Sequence, residues 1–429
     1  MKRIDVIGGG LAGSEAAYYL LNKGFEVHLY DARPVYQDGA HETEYLGELV
    51  CSNSLKSKRL DNACGLLKEE MRVFHSLMME AADQAKVPSG NALSVDREIF
   101  ARYITERLAS FPNFHLHREE VTSLPTNRTV ILATGPLTSP KLLESIVSLV
   151  GVKNHSFFDA SAPIVKKDSI DFSKAYYKSR YEQGDEAYIN CPFTKQEYFT
   201  FVRELLCAEK ALLHEFDTQY FEGCLPVEVI ASRGMETLRH GPLKPFGLES
   251  PEHPNPYAVV QLRQDTKLGD YYNIVGFQTN LTYPEQKRVF RMIPGLENAE
   301  FLRFGLMHRN SYLVAPLVLN DDLSLKAAPN IFVAGQLSGV EGYVESAAMG
   351  ILAAIHASRK EEGKPFIKVP RLSVCGGLVS YLLHASSSSF SPMNASWALI
   401  PNAKKENRQE TIDEALRSIR EFKEKVDHD

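Results

Sequence analysis

The 429-residue chain is short of several residue classes, and each shortage removes a class of function. Its six cysteines, at 51, 64, 191, 207, 224 and 375, form no Cys-x-x-Cys pair, which argues against a zinc site or a disulfide framework, so no metal is expected. No run of about 18 apolar residues occurs, so no membrane span is expected. Lysine and arginine, 48 together, do not outnumber the 54 acids, and the net charge of −6 excludes a chain coated in positive charge while leaving room for a local basic patch. Met1-Lys2-Arg3 runs straight into the first apolar segment and leaves no room for a signal peptide, which makes the cytosol the expected compartment. Thiols there are core filler or reactive groups. No internal repeat at solenoid spacing is present.

What is abundant near the start is glycine. Gly8-Gly9-Gly10-Leu11-Ala12-Gly13 follows the apolar run Ile4 to Ile7, read as a buried strand, and precedes a helical pattern from Ser14 to Leu21 that Gly24 ends. Glycines at 8, 10 and 13 fit G-x-G-x-x-G in its required strand–turn–helix setting. One glycine makes the tight turn, one lets the backbone approach a pyrophosphate, and one packs helix against sheet. The helix N-terminus offers unpaired N–H groups and a positive dipole end to that pyrophosphate. A second strand, Phe25 to Tyr30, ends at Asp31, spaced to hold a ribose hydroxyl. A dinucleotide is therefore expected on an α/β domain.

Two later segments favour FAD over NAD. Thr129 to Leu132 is an apolar strand leading into Ala133-Thr134-Gly135, and Asn330 to Ala334 leads into Gly335-Gln336 and a small-residue helix after Gly342. One nucleotide gripped from three distant parts of a chain is a flavoprotein habit. Gln336 stands where such proteins often carry Asp, so it hydrogen-bonds without charge. No second G-x-G-x-x-G occurs, so a nicotinamide, where it serves as reductant, binds transiently. The texture between 165 and 295 is different, rich in Tyr and Phe, with short strands and proline-bearing turns, and reads as an inserted α+β domain. The expected layout is 1–164 and 296–370 for the two parts of the nucleotide domain, 165–295 for the insertion, and 371–429 for a C-terminal helical extension. In that extension Thr411-Ile412-Asp413-Glu414 fits a capping box, and Ile412, Ala415, Leu416, Ile419, Phe422 and Val426 share one helical face.

Two cysteines sit in chemically suggestive places. Cys51 lies among small polar residues with Lys56, Lys58 and Arg59 close behind, and cations favour a thiolate. Cys224 lies between Gly223 and Leu225-Pro226, in a tight turn that either presents a side chain or simply ends a strand. Cys64, Cys207 and Cys375 have apolar neighbours and read as core, and Cys191, before Pro192, reads as shaping a turn.

These segments together resemble one family. Gly8–Gly13 with Ser14-Glu15-Ala16-Ala17, Leu49-Val50-Cys51-Ser52-Asn53-Ser54-Leu55 and Gly65-Leu66-Leu67-Lys68-Glu69-Glu70-Met71 carry the resemblance. So do Tyr188-Ile189-Asn190-Cys191-Pro192, Phe221-Glu222-Gly223-Cys224-Leu225-Pro226, Val260-Gln261-Leu262-Arg263-Gln264, Val275 to Thr279, Met307-His308-Arg309-Asn310 and Gly339 to Ser346. They are similar to the folate- and FAD-dependent tRNA (uracil-5-)-methyltransferases, the TrmFO family, from residue 4 to about 400. The Gly-Tyr-x-Glu-Ser segment also resembles the longer flavoprotein GidA.

The resemblance implies a Rossmann-like, GidA-like FAD domain with an inserted α+β domain. It implies methylation of uracil C5 in the T-loop of tRNA, with methylenetetrahydrofolate as carbon donor, reduced FAD as electron donor and NAD(P)H recharging the flavin. Uracil C5 becomes nucleophilic only after something adds at C6, a task suited to a thiolate, and loss of the C5 proton needs a base. The family's functional pair falls on Cys51 and Cys224, with Cys224 favoured as the C6 nucleophile and Cys51 as base or one-carbon relay. Gly8, Gly9, Gly10, Leu11, Ala12, Gly13, Asp31, Gly135, Gly335, Gln336 and Tyr343 are the expected cofactor contacts, Tyr343 by stacking on flavin or pterin. His308 and Arg309 are candidates for a proton donor and an anion contact. Three basic clusters are candidate RNA contacts: Lys56/Lys58/Arg59, Arg233/Arg239/His240/Lys244 and Lys287/Arg288/Arg291. The same chemistry on 23S rRNA, a small-molecule FAD oxidoreductase, and a non-catalytic RNA-binding flavoprotein are the alternatives.

Overall fold

A computed structural model describes residues 1–152, 155–182, 187–211 and 225–428, with backbone only for 155–159, 182, 308 and 309. Cys224 thus lies outside the described residues, as do the side chains of His308 and Arg309.

The first strand, Arg3–Ile7, is buried from Ile4 onward and pairs in parallel with Glu26–Asp31 on one side and Val130–Leu132 on the other. Ala328–Val333 joins Val130–Leu132 in parallel, so an early and a late segment of the chain meet in one sheet. Its spatial order runs Ser324–Leu325, Ala328–Val333, Val130–Leu132, Arg3–Ile7, Glu26–Asp31, Phe114–Arg118. Helix Leu11–Asn22 and the late helix Tyr343–Glu361 cross this sheet and each other at very short range. A Cβ at Gly350 would lie 2.1 Å from the carbonyl oxygen of Ala12, so only glycine lets the helices meet there. Two buried glutamates tie helices to this core. Glu15 accepts from the backbone N–H groups of Leu77 (3.1 Å) and Met78 (2.8 Å), and Glu70 from those of Val374 and Cys375 (both 2.8 Å), each at a helix N-terminus. Burial pushes both carboxyls up to about 7.

A second six-stranded sheet is antiparallel throughout, in the order Tyr176–Tyr177, Tyr188–Phe193, Ala258–Gln264, Tyr271–Ile274, Ile164–Lys166, Phe301–Arg303. It has its own core, in which Phe193, Tyr198, Phe201, Phe277 and Phe290 interlock edge to face or tilted. Part of the aromatic texture of the central sequence therefore goes into a hydrophobic cluster of its own, while Tyr177, Tyr181 and Phe246 stay exposed.

Three sequence readings change here. Cys191 does not shape a turn; it is wholly buried within strand Tyr188–Phe193. Cys207 is exposed, because helix Lys195–Cys207 turns Tyr198, Phe201, Val202 and Leu205 inward and leaves its last residue outside. The last helix starts at Arg408, so Thr411 is inside it, bonding back to the Asn407 carbonyl (3.0 Å) instead of capping. Of its apolar stripe, Ile412, Ala415, Ile419, Phe422 and Val426 are buried and Leu416 is half-buried, with Phe422 edge-on to Phe74. Among the described residues no helix is long and apolar enough to cross a membrane. Glu26, His28 and His115 bring one potential metal-ligand atom each within 4.8 Å of one another, outside the cleft described next.

Candidate active site

The carboxyl ends of the parallel strands open into a cleft of about 390 Å³. Gly8, Gly9, Gly10, Leu11, Ala12, Asp31, Gly135, Gly335, Gln336 and Tyr343 all line it, and so does Cys51. Gly13 does not. A Cβ there would fall 1.8 Å from the Gly8 carbonyl oxygen, so Gly13 serves the close packing of helix on strand.

The cleft fits a dinucleotide. Gly8 adopts φ +110°, and a Cβ on it would meet the Ala133 carbonyl at 2.3 Å. Gly10 and Gly135, by contrast, face open space. Helix Leu11–Asn22 starts at Gly10 with no side-chain cap and no acid in its first turn, which leaves its N-terminal dipole end for an anion. Gly335, at φ +73°, brings the late segment to within van der Waals reach of Ala12. Asp31 is more committed than the sequence suggests. Its carboxylate accepts three bonds from Arg33, from the backbone N–H (2.9 Å), Nε (3.0 Å) and Nη2 (2.7 Å), so a ribose hydroxyl would share it with that guanidinium. Gln336 donates through Nε2 to the Glu341 carboxylate, which orients it at the cleft wall.

Cys51 is half-buried on a loop held from four directions. The Tyr343 hydroxyl accepts the backbone N–H groups of Cys51 (2.7 Å) and Ser52 (3.1 Å). Arg97 donates to the Leu49 carbonyl (3.1 Å) and pairs with Asp265 (3.2 Å). Arg263 donates to Asn53 Oδ1 (2.9 Å) and Ser52 Oγ (2.8 Å). Asn53, wholly buried, donates to the carbonyls of Val95 (3.1 Å) and Gln264 (2.9 Å). Burial works against the Arg97 charge, but Asp265, Tyr343 and Cys51 outweigh it and hold its pKa up. Its Nη2 is buried with no hydrogen-bond partner among the described residues, a cationic donor kept in reserve near the thiol.

The cations expected around Cys51 divide. Lys56 lines the cleft, in a left-handed backbone (φ +62°), and bonds Glu345 (3.0 Å) and Asn394 (2.7 Å). Lys58 and Arg59 point to solvent, Arg59 paired with Asp61. Arg97, which the sequence does not flag, is a buried cation that interacts with Cys51. Of the other clusters, Arg239 stacks on Tyr257 at 4.3 Å and bonds its carbonyl (2.7 Å). Arg288 is taken up by Glu204 and Glu285, and Arg291 by the Ala299 carbonyl. Burial pushes the Cys64 and Cys375 thiols up, in keeping with core roles.

Residues 3–365 match the model of the family described as glucose inhibited division protein A, GIDA. A Lactobacillus gasseri protein named methylenetetrahydrofolate–tRNA-(uracil-5-)-methyltransferase TrmFO is 51% identical over 99% of both chains. Proteins of the same name from Listeria welshimeri (50% identical, 99% of this chain and 100% of the relative) and Natranaerobius thermophilus (51%, 99% of both) are similar to the same extent. Two crystal forms of Aquifex aeolicus GidA superpose with TM-scores of 0.72 and 0.73 at 18% identity, over 99% of this chain and 73% and 76% of theirs. The shared architecture is thus the GidA-like fold.

Proposed function

The chain belongs to the TrmFO family, and from that premise we propose that it methylates uracil C5 in tRNA, within a Rossmann-like FAD fold of the GidA type. The balance is uridine plus methylenetetrahydrofolate plus FADH2 giving 5-methyluridine, tetrahydrofolate and FAD. One observation carries the reading: the Cys51 loop is pinned by Tyr343 over the same cleft whose glycines suit a dinucleotide.

When bound, FAD supplies the two electrons that turn the transferred one-carbon unit into a methyl group. The chain's own residues do the rest. Gly8 to Ala12, Gly135, Gly335 and Gln336 bind and orient the cofactor, Gly13 supports them by packing, and Asp31 with Arg33 holds the ribose end. Tyr343 presents its ring to the cleft and fixes Cys51 through its hydroxyl. Cys51 takes the C5 proton or relays the one-carbon unit, and Cys224 adds to uracil C6. Segments 1–164 and 296–370 form the cofactor domain, 165–295 the insertion and 371–429 the closing helices. NAD(P)H recharges the cofactor, and the enzyme works in the cytoplasm.

The test is incubation with tRNA and 23S rRNA transcripts, methylenetetrahydrofolate labelled in the one-carbon unit, and NADPH, followed by mapping of 5-methyluridine. Label at one T-loop uridine of tRNA is expected. Label in rRNA alone, or in neither RNA, refutes the assignment. Trapping on 5-fluorouridine tRNA then separates the thiols: a covalent adduct that survives Cys224→Ala but not Cys51→Ala reverses their roles.

A further inference from the structure

Tyr181 is strained and exposed at once. Its backbone lies at φ +56°, ψ +26°, a region that bulky residues adopt only when something holds them there. Yet its side chain is 57% exposed, so no core packing accounts for the strain. What holds it is a fitted support. The Tyr181 N–H bonds the Gly247 carbonyl (3.1 Å), and Gly247, at φ +79°, sits so close that a Cβ there would meet the tyrosine ring at 2.5 Å. Arg180 spends its guanidinium on the same turn, donating to the carbonyls of Phe246 and Lys244 and to Gln261 Oε1 (3.2 Å). Phe246 beside it is 51% exposed, and the Lys244 ammonium stands 5.8 Å from its ring. Two exposed rings and a cation thus stand on two turns hydrogen-bonded to each other, the kinds of group with which proteins stack unpaired bases and contact phosphate.

The location of this platform gives it a use. Gln261, which anchors Arg180, and Arg263, which anchors Ser52 and Asn53, are two apart on strand Ala258–Gln264. Residues two apart on a strand face the same way, about 7 Å from each other. The platform and the Cys51 loop are therefore braced by neighbouring side chains on one strand face. We propose that Tyr181 and Phe246, with Lys244, hold an unpaired nucleotide of the RNA substrate next to the uridine presented to Cys51. This rests on the RNA-methyltransferase reading above.

The test uses the full-length flavin-loaded protein and a tRNA transcript, with the Kd measured by filter binding at fixed salt and KM by methyl transfer. Tyr181→Gly removes the ring and relieves the backbone strain, Tyr181→Phe keeps the ring, and Phe246→Ala removes the second one. Loss of one stacked base weakens binding by roughly 5- to 150-fold. Tyr181→Gly is expected to raise Kd and KM within that range, with flavin content and Tm at wild-type values, and Tyr181→Phe to restore both constants. Unchanged Kd and KM in Tyr181→Gly, or failure of Tyr181→Phe to restore them, overturns the platform. A wild-type protein that binds tRNA but transfers no methyl group refutes the functional reading instead, while the Kd comparison still decides the platform.

Discussion

Replacing Tyr343 by phenylalanine removes one oxygen atom and keeps the ring. That oxygen accepts the N–H groups of Cys51 at 2.7 Å and Ser52 at 3.1 Å. An amide left without its acceptor costs about 1–3 kcal/mol when it stays buried. Cys51 is only half-buried, and water entering the cleft repays part of that cost, so the pair together is worth about 1–3 kcal/mol. At about 1.4 kcal/mol per decade, kcat/KM for tRNA methylation should fall roughly 5- to 150-fold. Flavin content should hold, since the ring still lines the cleft. Alkylation of Cys51, read by peptide mass spectrometry so that exposed Cys207 does not confuse it, should speed up as the loop loosens. Wild-type turnover together with wild-type Cys51 alkylation refutes the positioning role. Loss of flavin with no change at Cys51 shows that the hydroxyl serves the cofactor and not the loop.

Gly350→Ala forces a Cβ to 2.1 Å from the Ala12 carbonyl oxygen, so thermal melts should show about 1–3 kcal/mol of destabilisation, and visible absorbance a loss of flavin. Arg263→Lys keeps the charge but not the fork that reaches Ser52 and Asn53 at once; kcat/KM should drop about tenfold, with the melt barely moved, as checked by steady-state kinetics. His356 is 3% exposed with neither ring nitrogen bonded among the described residues, and burial pulls its pKa down to about 4. It is neutral in the fold, whereas the unfolded chain takes up a proton below about pH 6.5, so its contribution is present above 6.5 and is lost as pH falls towards 4. The full loss is about 3 kcal/mol, and urea melts of His356→Leu should show a stability fall between pH 7 and pH 4 smaller by that amount.

The glycine loop, the two later strand ends and the stripe on the last helix were legible because each is local: a spacing of glycines, an apolar run, a helical period. The architecture around Cys51 was not. Arg97 reaches back 48 residues to Leu49, Arg263 lies 211 residues from Ser52, and Tyr343 lies 292 residues from Cys51. No window of sequence contains these pairs; the nearby Lys58 and Arg59 drew attention only by adjacency, and they face water. Asp31 lines the cleft, but the salt bridge that engages its carboxylate comes from Arg33 in the following turn, a conformation that the ribose spacing does not reveal. Cys207 shows the reverse error, since apolar neighbours in sequence do not say which side of a helix a residue takes.

The claim on which the account turns is that Cys51 works with a flavin held in its own cleft. An anaerobic single turnover of reduced, flavin-loaded protein with tRNA and methylenetetrahydrofolate tests it directly, by quantifying oxidised flavin and 5-methyluridine in the same sample. The prediction is one flavin oxidised for each methyl group formed, and neither product from Cys51→Ala although that variant still binds flavin. Methyl groups formed by Cys51→Ala at the wild-type rate, or formed without matching flavin oxidation, would contradict it.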